Sequence, residues 1–95
     1  MIERYSREEM KKIWDLQSKF QYYLDVEIAV AQAYAQNGDF PENEVKELAK
    51  KAKFDLKRID EIEAEVRHDV IAFLTCVNET LGGLAKYMHV GMTSS

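Results

Sequence analysis

Apolar residues recur three and four positions apart along most of the chain and nowhere alternate in twos, so the pattern predicts helices and no strands. Ser6-Arg7-Glu8-Glu9 has the Ser-x-x-Glu spacing of a capping box, in which each end of the motif satisfies an orphan N–H of the first turn. A short helix is expected from there to about Trp14, with Met10, Ile13 and Trp14 on one side. A longer helix is expected from about Asp15 to Gln36. Its stripe is Leu16, Phe20, Leu24, Ile28, Ala31 and Ala35, widened by Tyr23, Val30 and Tyr34. Glu27 falls inside that band, where it should either reach solvent at the rim or pair with a buried cation. Asn37-Gly38 is a helix stop.

Pro41 suits the first position of the next helix. Glu42 and Glu44 favour its positive end, and Lys50, Lys51 and Lys53 its negative end. Val45, Leu48, Ala49 and Ala52 supply the buried face. Complementing a helix terminus accounts for the lysines more simply than a phosphate site does. Asp55 fits the N-cap of a helix to about Val66, with Leu56, Ile59, Ile62 and Val66 as its stripe. Asp69 should cap a further helix carrying Val70, Phe73, Leu74, Val77, Leu81 and Leu84, which Gly82-Gly83 disturbs or ends. The expectation is one all-α unit of five helices, three of them fairly short.

Composition narrows the class. With 95 residues and 46% hydrophobic content the chain is a single foldable domain, not a disordered one. A formal net charge of −4 provides no basic field for nucleic acid or an anionic membrane. The single cysteine, Cys76, excludes an internal disulfide and sits among apolar residues, which reads as packing. No charged-then-apolar leader and no apolar run of transmembrane length is present, so a soluble, cytoplasmic protein is expected.

The segment most suggestive of chemistry is Tyr87-Met88-His89-Val90-Gly91-Met92-Thr93-Ser94-Ser95. It follows Gly82-Gly83 and carries a ring nitrogen, a glycine and three hydroxyls in quick succession. Such groups suit an anionic oxygen, although the same residues also build plain turns. His68 and His89 are the two histidines, and both fall just outside expected helices. Imidazole exchanges a proton near neutral pH, and a helix start supplies N–H groups for anions. Two histidines with one neighbouring acid lack a metal-ligand spacing. The serines close the sequence with nothing to fix an oxyanion hole, and no strand precedes the glycines as a nucleotide fingerprint requires.

The terminal run resembles the His-x-Gly-x-Thr-Ser-Ser-Asp segment of the adenylosuccinate lyase family, in the fumarase/aspartase superfamily. Upstream, Arg67-His68-Asp69-Val70-Ile71-Ala72-Phe73, Tyr23-Leu24-Asp25-Val26-Glu27-Ile28-Ala29 and Met1-Ile2-Glu3-Arg4-Tyr5-Ser6 match in the same order. The resemblance implies the small N-terminal helical domain of that lyase fold, residues 1–95, without the central helical bundle and C-terminal domain. It implies a C–N lyase that releases fumarate from a succinylated purine nucleotide or precursor, with no metal or organic cofactor. It further implies a homotetramer whose active sites are shared between subunits, with no nucleic-acid or membrane partner. By position, Arg4 and Tyr5 resemble contacts to the nucleotide phosphate. Arg67, His68 and Asp69 resemble the base and ribose side of the pocket, and Thr93 and Ser94 the cradle for the succinyl carboxylates. His89 resembles a substrate-orienting histidine, while His68 could orient substrate or act as general acid. The base and another candidate acid histidine have no counterpart here, so the 95 residues alone are expected to be inactive. A sister lyase of the superfamily and a free-standing helical interaction module are the rival readings; the Arg4-Tyr5 start and the Arg67-His68-Asp69 triplet lean toward the purine enzyme.

Overall fold

The computed structural model describes residues 5–88. Four helices, α1 (Arg7–Gln36), α2 (Glu42–Lys51), α3 (Leu56–Val66) and α4 (Asp69–Leu81), are followed by a 3-10 segment, Gly82–Tyr87. The all-α class is as expected, and the helix count is not. The two helices expected to meet near Asp15 are one rod of 30 residues. No glycine or proline interrupts Arg7–Gln36, and Asp15 accepts a hydrogen bond from Lys11 Nζ at 3.0 Å instead of capping anything.

The capping box forms at the start of α1: Ser6 Oγ accepts from the Glu9 amide at 3.1 Å, and the Ser6 amide donates to Glu9 Oε1 at 3.2 Å. Its end is the expected stop, with Asn37 as C-cap and Gly38 at φ 87°, where a side chain would be strained. Pro41 is the N-cap of α2 and not its first residue. Asp55 caps α3 as expected, accepting the Lys57 amide at 3.0 Å. At α4 the cap is His68 and not Asp69: the His68 side chain accepts the Ile71 amide, and Asp69 is the first helical residue. Gly82 ends α4 at φ 57°, and the chain tightens into the 3-10 segment.

The core lies where α1, α3 and α4 meet. Phe20 and Leu24 of α1 pack with Ile59 and Ile62 of α3 and with Ala72, Phe73, Cys76, Val77 and Leu81 of α4. Phe20 stacks on Phe73 at 5.3 Å between ring centroids, and Tyr23 and Phe54 approach Phe73 edge-on at 6.0 and 5.8 Å. Toward the far end of α1, Ala31 and Ala35 bury against Val45 and Phe40. Tyr87 and Met88, expected to open the polar terminal run, are buried core residues, and the Tyr87 hydroxyl donates to the Glu44 carboxylate. Cys76 is buried as expected, and burial pushes its thiol up.

Two expectations about α1 fail. Its first turns carry no buried residue; Met10 and Trp14 are 54% and 71% exposed and Leu16 is also exposed, because the rod overshoots the body it packs on. Glu27 neither reaches solvent nor finds a cation. It is only 3% exposed, and among the described residues its Oε2 has no hydrogen-bond partner.

Candidate functional site

The corner between α3 and α4 is two residues long, and its geometry follows from one unusual backbone. Arg67 ends α3 in the left-handed region at φ 55°, ψ 36°, with its amide donating to the Glu63 carbonyl at 2.7 Å. That conformation closes a helix in a single residue, which is why glycine usually occupies it. Arg67→Gly is therefore expected to stabilise the chain by roughly 0.5–1 kcal/mol, read as a higher denaturant midpoint. An unchanged or lower midpoint would show that the arginine side chain compensates its own strain.

His68 follows in extended conformation and reaches back over the first turn of α4. Its Nδ1 accepts the Ile71 amide at 3.3 Å, so the neutral ring carries its proton on Nε2. The side chain is exposed, leaving Nε2–H as a donor toward solvent. Asp69, next along, has both oxygens engaged. Oδ1 accepts the Val70 amide at 2.8 Å, and Oδ2 accepts Lys19 Nζ, from the middle of α1, at 2.6 Å. The hydrogen bond from Lys19 holds the Asp69 carboxyl below its ordinary range, and the same bond holds the Lys19 ammonium above its own. Lys19 Nζ also lies 5.5 and 5.9 Å from the ring centroids of Phe20 and Tyr23. A groove of about 200 Å³ between α1 and α3, floored by Leu16, Phe20, Leu56 and Ile59, runs up to Asp69.

The structure thus brings Arg67, His68 and Asp69 to one exposed corner and adds Lys19. No local signal marks Lys19, whose partner is 50 residues away. Tyr5 is described and exposed, immediately before the cap of α1. Arg7 and Lys19 are twelve residues apart on one uninterrupted helix, about 18 Å, so Tyr5 and the His68 corner are not brought together. Arg4, His89, Thr93 and Ser94 lie outside the described residues. Among the described residues no group of three or more histidine, cysteine or acidic side chains could hold a metal ion. No described helix is long and apolar enough to cross a membrane.

No family model matches the chain. Its similarity to individual proteins is nonetheless extensive. All 95 residues align with the adenylosuccinate lyase of Synechocystis sp. at 59% identity, with that of Staphylococcus saprophyticus at 50%, and with that of Bacillus subtilis at 48%. Along its whole length the chain is similar to adenylosuccinate lyases. It spans 22% of the length of each of those adenylosuccinate lyases. Similarity to these lyases over the whole chain does not favour a free-standing interaction module.

Proposed function

We propose that the chain is the N-terminal domain of an enzyme that eliminates fumarate from adenylosuccinate, leaving AMP, and from the succinyl-carboxamide intermediate of purine synthesis, leaving AICAR. The observation that carries this reading is 59% identity to an adenylosuccinate lyase over the whole chain. In the elimination a base removes a proton from carbon, the adjacent C–N bond breaks, and an acid protonates the leaving nitrogen. This chain contributes holding groups. Arg4 and Tyr5 grip the phosphate by charge-assisted hydrogen bonds, and Thr93 and Ser94 cradle the succinyl carboxylates with His89 beside the substrate. Arg67, His68 and Asp69 line the base and ribose side, where the Nε2–H of His68 is a ready donor.

No cofactor is needed, because the charge developed in the intermediate is stabilised by cations and hydroxyls already in place. The working enzyme is a cytoplasmic homotetramer with each active site shared between subunits. The separation of about 18 Å between the start of α1 and Lys19 supports that sharing, since one substrate phosphate end and the His68 corner need not come from one chain. The purified 95 residues are expected to release no fumarate from adenylosuccinate, even at high concentration. In the full-length enzyme, His89→Ala and Thr93→Ala should each lower kcat about 100-fold or more while leaving the melting temperature nearly unchanged. Fumarate release by the 95 residues that is lost on mutating them would overturn the reading. So would full activity in both alanine variants.

A further inference from the structure

We propose that Lys19 is a positioning residue: by clasping Asp69 it fixes the first turn of α4 against α1 and holds the His68 ring with its Nε2–H facing outward. The inference rests on the reading of Arg67–Asp69 as a substrate-contacting segment. Three observations carry it. Among the described ion pairs, Lys19–Asp69 is the one that ties α1 to another helix, and at 2.6 Å it is also the closest. Asp69 is the residue next to His68, and its second oxygen sits on the Val70 amide. The following amide, Ile71, is the donor that orients the His68 ring.

The first turn of α4 therefore divides its free N–H groups between two neighbouring side chains. The division depends on where the Asp69 carboxylate is held. Without Lys19 the carboxylate is free to swing about its χ1 and compete for the Ile71 amide, to which a charged acceptor binds more strongly than a neutral imidazole nitrogen. His68 would then lose the hydrogen bond that selects its tautomer, and the ring would turn freely at an exposed corner. Lys19 and Asp69 are each about 40% exposed, so their pair adds little to folding. Its consequence is orientation.

The test uses Lys19→Met and Lys19→Arg in two settings. In the 95-residue chain, the imidazole ¹⁵N shifts of His68 report its tautomer. The parent should show one bare and one protonated nitrogen; Lys19→Met should move both toward the exchange average, and Lys19→Arg should restore them. The melting temperature should change by no more than about 5 °C. In the full-length enzyme, Lys19→Met should lower kcat about tenfold with a smaller change in KM, and Lys19→Arg should recover most of the loss. An unchanged His68 tautomer, or an unchanged kcat, in Lys19→Met overturns the proposal. His68→Ala separates the two levels. If it inactivates the enzyme while Lys19→Met does nothing, the positioning role is wrong; if His68→Ala is itself fully active, the reading of the corner is wrong and the positioning role falls with it.

Discussion

Phe73→Ala is expected to destabilise the chain by about 3–5 kcal/mol. Phe73 is fully buried, stacked on Phe20 of α1 and met edge-on by Tyr23 and Phe54. Truncation removes ring contacts to α1 and to the segment before α3 at once, and three flanking aromatics are too stiff to collapse into the space. A domain this small has a total stability of roughly 5–10 kcal/mol, so the variant should be partly unfolded near 37 °C. Phe73→Leu keeps much of the volume and should cost less than about 2 kcal/mol. Tyr22→Ala, on the exposed face of α1, should stay within about 0.5 kcal/mol. Urea titrations followed by helical circular dichroism give all three values. A Phe73→Ala midpoint as little displaced as that of Tyr22→Ala would mean the aromatic cluster does not organise the fold.

Glu27→Gln is expected to stabilise the chain at neutral pH by on the order of 1 kcal/mol or more, raising the melting temperature by about 5 °C. Burial alone pushes the Glu27 carboxyl up, with no charged group of the described residues contributing. The folded state thus holds this proton more tightly than the unfolded state does. Stability from Glu27 is fully present below the ordinary glutamate range and is lost as pH rises from there toward the raised folded value. Asp69 and Glu79 act oppositely: each is held low, by Lys19 and Arg58 respectively, and their contribution is lost on acidification. Only the difference between parent and Glu27→Gln isolates the buried acid. That difference should be near zero below about pH 4 and grow as pH rises. A pH-independent difference, or a less stable glutamine variant at pH 7, would show that the carboxylate has found a partner.

Periodicity made the core stripe of α1 legible. Phe20, Leu24, Ala31 and Ala35 follow from spacing alone and are buried. The same rule failed for Met10, Trp14 and Leu16, because spacing gives the side of a helix on which a residue lies, not how far the packed body extends along it. The break expected near Asp15 is absent because the lysine four residues earlier makes that acid half of a mid-helix pair. His68 is the α4 cap itself and not its neighbour, a duty the sequence does not announce because imidazole nitrogen is an uncommon capping acceptor. Arg67–Asp69 could be found by resemblance, as contiguous residues. Lys19 could not, because it joins them only when the chain has folded.

Lys19 and Phe20 are neighbours on α1, and Asp69 and Phe73 are one turn apart on α4, so a polar clasp and a ring stack join the same two rods at adjacent points. Shifting α1 by one residue would rotate both of its members by about 100° and undo the two joints together. The helix pair therefore behaves like a keyed shaft: it seats in one register or not at all, and the His68 corner cannot be half-assembled on a slipped core.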